Sequence, residues 1–283
     1  MRTAFSVLLF VLAGLLTPQV DGQQQLVQLD MAPKAFDDQY VGCTEKMEKI
    51  APQLLEEEMH KNKTFSAEWE KAAKHWKQIK NTISYPSQFN DFHGTALVAY
   101  TGPIAIDFNT AVRNFTSNDT FRFKAFHYYL TRALQLLRSS RCHTVYRGSK
   151  TRFSYSGTGN IRFGQFTSSS LDRDIARKQF HGDSGTLFII NTCLGVHIEA
   201  FSLYPNQKEV LIPGYEVYQK VTVTTKPHET NNTITLENPQ AMASKFNCLY
   251  SNFNGAGESE SVLEMGVVML TSMLLRLHCV WAY

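Results

Sequence analysis

The hydrophobic period of this chain changes once, between Ser139 and Cys142, and that single switch limits the architectures open to it. Ahead of the switch the pattern is helical. "KAFHYYLTRALQLLRS" sets Phe126, Tyr129, Leu130, Ala133, Leu134 and Leu137 on one stripe, the spacing of a core-facing helix. "SAEWEKAAKHWKQIK" predicts a second helix, capped by Ser66, with Trp69 and Trp76 as packing residues. "HGTALVAYTGP" predicts a short buried helix ending at Gly102-Pro103. Beyond Cys142 the runs "CHTVYRG", "FGQFTSSS", "TLFIINTC", "EVLIP" and "YEVYQKVTVTT" are short, β-branched or aromatic, and broken by Gly, Pro, Asn and Ser, as strands are. Helices come first and strands second, without βαβ alternation. The expected fold is therefore α+β with a strand-built core.

The two ends read as processed segments. Met1-Arg2 precedes "AFSVLLFVLAGLL" and "PQVDG", with Val20 and Gly22 at suitable positions for cleavage, the pattern of a secretory signal peptide over 1–22. Near the other end, "SNFNGAGESE" leads into "GVVMLTSMLLRLHCVWAY". Small residues, a polar spacer and an apolar tail form a GPI-attachment signal, with Asn254 the expected attachment residue and 255–283 removed. Arg276 and His278 interrupt the tail, and a retained single-pass anchor is the alternative. The mature chain, about 230 residues, suffices for one large domain or two small ones. Over the full chain, 28 Lys and Arg nearly balance 25 Asp and Glu, without a basic block, which argues against a nucleic-acid partner.

Cys279 falls in the tail, leaving Cys43, Cys142, Cys193 and Cys248, an even set suited to an oxidising compartment. Three pairings are open. We favour Cys43 with Cys248, clamping the ends of the mature chain, and Cys142 with Cys193, tying two central strands. The close Cys/His spacing of a metal site is missing, so no metal is expected. Sequons at Asn62, Asn114, Asn118 and Asn231 fit an extracellular surface.

Three polar clusters stand on the predicted strands. Arg147 precedes Gly148 at a strand end, where its planar fork suits a phosphate. "FGQFTSSS" offers consecutive hydroxyls for a sugar or a carboxylate. Gln207 and Glu209 lie two apart, a spacing that on a strand would turn both toward one cleft. "GTGNIRFG" has Arg162 where a dinucleotide fingerprint needs its third glycine, and neither G-x-S-x-G nor H-E-x-x-H occurs.

The order and spacing of these clusters resemble the R-S-E constellation of the mammalian ecto-ADP-ribosyltransferases. The likeness extends through "AFDDQYVGC", "YPSQFNDFHGTALVAYTG", "VYRGSKTRF", "RFGQFTSSSL", "GTLFIINTCLGV", "EVLIPGYEVYQKV" and "NCLYS". It implies a catalytic domain over 23–254, helical over 43–139 and mainly β over 142–250. Its helical part would pack on a core of two β-sheets, with an NAD cleft between. It also implies that Arg147 holds an NAD phosphate, Ser168 orients the glutamate and Glu209 is the catalytic acid. Tyr100, Gln165 and Ser202 would contact the nucleotide, and Phe180 would stack on nicotinamide, although "RKQFHGDSG" departs from the family pattern. NAD is then the substrate, no cofactor is needed, and surface proteins are candidate acceptors.

The chemistry suits Glu209. Nicotinamide leaves from the anomeric carbon of ribose through an oxocarbenium-like transition state, which a preplaced carboxylate stabilises. Arginine-specific members of the family carry E-x-E, where this chain has Gln207-Lys208-Glu209. A guanidinium is protonated at physiological pH and needs a base to become a nucleophile, which an amide cannot supply. The expected reaction on a cell surface is therefore NAD hydrolysis to ADP-ribose and nicotinamide, with automodification as a side reaction. An arginine transferase, or a surface glycoprotein of the same fold without catalysis, are the alternatives.

Overall fold

The computed structural model describes residues 26–181, 184–225 and 231–252. The leader at 1–22, Asn254 and the segment 255–283 lie outside the described residues.

After a short strand, β1 (Val27–Gln28), the first half of the chain forms α1 (Thr44–Lys61), α2 (Lys63–Ile79), α3 (Asp91–Tyr100), α4 (Ile104–Arg113) and α5 (Lys124–Leu137). The predicted start of α2 needs correction. Asn62, not Ser66, is the cap, and its side chain accepts the Phe65 N–H at 3.0 Å. Asn62 donates its own N–H to the Glu58 carbonyl, so one residue ends α1 and starts α2. Asn is among the best N-caps, and its extended backbone turns the chain there. Ser66 lies inside the helix, bonded to Glu70. Phe65, Trp69, Ala72 and Trp76 make the buried stripe of α2. Trp76 packs so tightly on α3 that a Cβ at Gly94 would lie 2.2 Å from its Cε2.

The strands are β2 (His143–Ser149), β3 (Phe153–Ser154), β4 (Ile161–Arg162), β5 (Thr167–Ser170), β6 (Thr186–Thr192), β7 (Val196–His197), β8 (Glu209–Ile212), β9 (Glu216–Thr225) and β10 (Asn232–Ala241). Eight of them form one sheet in the order β4-β9-β10-β6-β2-β5-β8-β7. The union between β2 and β5 is a single pair, Tyr146 with Ser170. The sheet thus divides into a five-stranded and a three-stranded part that meet at this point. β10 is a strand that sequence patterning missed. It pairs parallel with β6 over Asn232–Leu236 and antiparallel with β9, and it runs through Asn238 and Pro239, both turn formers by composition.

Alternate residues of β8 serve two cores. Leu211 joins the helical cluster with Tyr100 and Phe166, whereas Val210 and Ile212 join the strand cluster with Val145, Phe188 and Ile234. Burial on both faces explains its unbroken apolar run. Cys43 pairs with Cys248, and Cys142 with Cys193, the latter joining the edges of the adjacent strands β2 and β6. Asp37 and Asp38 reinforce the first clamp by accepting N–H groups from Lys245, Phe246, Cys248 and Leu249. Arg162, the residue that breaks the dinucleotide fingerprint, forms a buried ion pair with Asp37 at 2.6 Å.

Candidate active site

A cleft of about 360 Å³ opens where the two parts of the sheet meet. β2 contributes Arg147 and Ser149 to its lining, β5 contributes Ser168 and Ser170, and Lys150 and Gln207 complete the rim. The β2–β5 junction therefore does what neither strand could do alone. It brings the arginine and serine clusters side by side although 21 residues separate them, and Arg147 Nη1 donates to the Ser168 carbonyl at 2.7 Å.

Glu209 starts β8 and is only 6 % exposed. On its strand it shares the face of Leu211, toward the helices. Burial raises its carboxyl above the usual range, while a hydrogen bond from the Ser168 hydroxyl and the charge of Arg147 draw it back. Burial likewise lowers Arg147, opposed by Tyr100 and Glu209. The three residues of the R-S-E pattern are thus one electrostatic unit.

The three serines of β5 divide the work. Ser168 meets Glu209, Ser169 donates to the Val210 carbonyl at 2.7 Å, and Ser170 donates to the Gln207 carbonyl at 2.7 Å. Gln207 is half-buried and lines the cleft, but the strand-alternation argument for it fails. It closes a 3-10 turn, Pro205–Gln207, and Lys208 follows with a left-handed backbone (φ 49°, ψ 48°). The turn, not the pleat, presents Gln207. Lys208 also pairs with Asp172 at 3.0 Å, tying the turn to the end of β5.

The expected nucleotide contacts are distributed differently. Tyr100, the last residue of α3, is 3 % exposed and does not line the cleft. Its hydroxyl donates to the Phe166 carbonyl at 2.9 Å, receives the Asn109 amide at 2.9 Å and bonds Ser168. Burial pushes it up to about 12, so it stays a neutral donor. Gln165 is half-buried beside Gly214, and the Ser202 hydroxyl accepts the Tyr204 N–H at 3.0 Å; neither lines the cleft. The backbone of Phe180 falls in a π-helical turn, Ala176–His181, and its side chain lies outside the described residues. Ser149 and Lys150 were missed as cleft residues, although "YRGSK" placed them beside Arg147, whereas Ser170 belongs to the hydroxyl run already singled out. Among the described residues, no group of three or more His, Cys, Asp or Glu could hold a metal.

A split sheet under a helical layer, with arginine, serine and glutamate converging at the split, defines a class of NAD-dependent transferase. Residues 29–244 match the family described as NAD:arginine ADP-ribosyltransferase, and the chain belongs to that family. It is 56 % identical to T-cell ecto-ADP-ribosyltransferase 1 of Rattus norvegicus over 272 residues, 95 % of this chain and 96 % of that one. It is 53 % identical over 277 residues to T-cell ecto-ADP-ribosyltransferase 2 of Mus musculus, covering 94 % and 95 % respectively. The crystal structure of the eukaryotic mono-ADP-ribosyltransferase ART2.2 shares 60 % identity, with a TM-score of 0.75 over 79 % of this chain and 99 % of that one. A variant of that enzyme has been crystallised in complex with NAD (TM-score 0.74).

Proposed function

We propose that this chain is an enzyme of the outer cell surface, held by a GPI anchor, that cleaves NAD at its nicotinamide–ribose bond, chiefly by hydrolysis. The observation that carries this reading is the coupling of buried Glu209, through a hydrogen bond from Ser168 and the charge of Arg147, to two residues that line one cleft together with an amide, Gln207. The "ecto" in the names of the relatives supports the location, and the small-residue triplet with its apolar tail supports the anchor.

Arg147, steadied by the Ser168 carbonyl, presents the rest of its guanidinium to the NAD diphosphate. Glu209, held by the Ser168 hydroxyl, hydrogen-bonds the ribose 2′-hydroxyl and stabilises the positive charge that grows at the anomeric carbon. The glycosidic electron pair leaves with nicotinamide, which departs as a neutral base. Water bonds to the anomeric carbon and releases its proton to solvent, giving ADP-ribose. Tyr100 braces Ser168 from the helical side. Gln165 and Ser202 support the nucleotide from outside the cleft, and Phe180 is the candidate stacking partner of nicotinamide. Gln207 can orient a water, but it cannot take a proton from a guanidinium.

The description of the family favours arginine transfer as the second reading. Labelled NAD with agmatine, compared across wild type, Gln207→Glu and Glu209→Ala, separates the two. Wild type should release nicotinamide with little agmatine labelling, Gln207→Glu should gain labelling, and Glu209→Ala should lose both activities. Strong labelling by the wild type would refute hydrolysis as the main reaction. A wild type that releases no nicotinamide would favour a surface glycoprotein without catalysis.

A further inference from the structure

A second pocket, about 440 Å³, lies away from the catalytic cleft, between the end of α1, the segment before α5 and the C-terminal segment. We infer that it seats an N-linked glycan carried by Asn118. Asn118 is exposed, lines this pocket and opens the sequon Asn118-Asp119-Thr120. The Thr120 hydroxyl is fixed by bonds to Thr116 and to the Ser117 carbonyl, so the sequon sits on an ordered turn. Asn114 differs, because its side-chain amide already donates to the Thr110 carbonyl at the end of α4.

The lining chemistry selects the occupant. Lys61, Arg122 and Lys124 supply donors, and Glu57 and Asp119 supply acceptors. Lys61 is paired with Glu57 at 3.5 Å, and Lys124 donates to the Phe121 carbonyl at 2.7 Å while its ammonium lies 5.2 Å from the Tyr250 ring centroid. Near-balanced charge with both donors and acceptors suits a neutral, hydroxyl-rich ligand better than a phosphate. Tyr250 also lines the pocket but is only 4 % exposed, its hydroxyl buried, so it contributes ring surface to the floor. Polar groups of an amino sugar can bond the charged donors and acceptors of this rim while its apolar face rests against Leu249. The volume falls within the range of ordinary small-ligand sites.

Attachment would join Asn118 Nδ2 to the anomeric carbon of N-acetylglucosamine from a lipid-diphosphate oligosaccharide donor. The diphosphate leaves with the C–O electron pair, and an amide proton goes to a base. The seated sugar would fasten the turn before α5 to Tyr250 and Asn252, next to the Cys43–Cys248 clamp.

This inference rests on export through the secretory pathway, and the test keeps the two apart. Full-length protein from mammalian cells is mapped for glycan occupancy, then digested natively with peptide N-glycosidase. The Asn118 glycan should be present and should be released about tenfold more slowly than those on Asn62 or Asn231, the factor that about 1.4 kcal/mol of contact gives. The difference should vanish after denaturation. Arg122→Ala, which leaves the sequon intact, should bring the Asn118 rate toward the others. An unglycosylated Asn118 beside glycosylated Asn62 and Asn231, equal native release rates, or an unchanged rate in Arg122→Ala would overturn the inference. Four bare sequons would overturn the export reading with it.

Discussion

Replacing Ser168 by alanine isolates one hydroxyl. The main-chain carbonyl that holds Arg147 remains, and Tyr100 keeps Phe166 and Asn109 as partners. What disappears is the bond to the Tyr100 hydroxyl and, for the chemistry, the hydrogen bond that favours the ionised form of Glu209. A hydrogen bond to a charged group contributes about 1.5–3 kcal/mol. Its loss should raise the Glu209 carboxyl further, on top of the rise that burial already causes, and at about 1.36 kcal/mol per tenfold the ionised fraction at low pH falls by roughly 10–100-fold. The ionised carboxylate is the active form, so activity falls as pH drops through this pKa. Ser168→Ala should therefore move the acid limb of kcat/KM to higher pH. Below both limbs the variant should be slower by about 10–100-fold, and near the alkaline plateau much of the activity should return. Initial rates of nicotinamide release across the pH range read both effects. A limb left at the wild-type position, or an equal loss at every pH, would refute the coupling of Ser168 to Glu209.

Two further changes probe what supports the site. Asp37→Asn leaves Arg162 buried without its counter-charge, each partner being only 2 % exposed, and should cost about 3–5 kcal/mol, or roughly 6–20 °C in Tm, read by thermal unfolding. Glu58 caps α5 from α1 by accepting the Lys124 and Ala125 N–H groups, and burial pushes its carboxyl up from 4.5 to about 8. The folded state therefore holds this proton more tightly, and the associated stability, complete below 4.5, is lost as pH rises to about 8; Glu58→Gln should flatten that part of a denaturant-midpoint profile.

The helices α2, α3 and α5 and the strands β2, β5, β6, β8 and β9 were legible because each follows a local period, whereas α1, α4 and the two-residue strands were not singled out. The stripe of α5 needs only its own residues to be seen. Ser66 misled because it is a good cap in isolation, whereas Asn62, an equally good one, already had the end of α1 behind it. β10 was hidden for a related reason. Its run carries Asn238 and Pro239, and although Asn238 keeps a left-handed backbone (φ 53°), pairing of Glu237 and Pro239 with β9 carries the strand past it.

The R-S-E residues were legible as a pattern, but not their arrangement. Sequence determined that an arginine, a run of hydroxyls and a glutamate stand near strand ends, because each is written in a few adjacent residues. It also set an amide at Gln207, and with it the expected weakness toward arginine. Tertiary structure decided which groups meet. The single Tyr146–Ser170 pair splits the sheet and opens the cleft, and the left-handed Lys208 turns Gln207 toward it. Burial separates Tyr100 from the cleft surface and leaves it bracing Ser168. Such outcomes depend on contacts between segments far apart in the chain, and desolvation and hydrogen-bond partners arise only when those segments pack together.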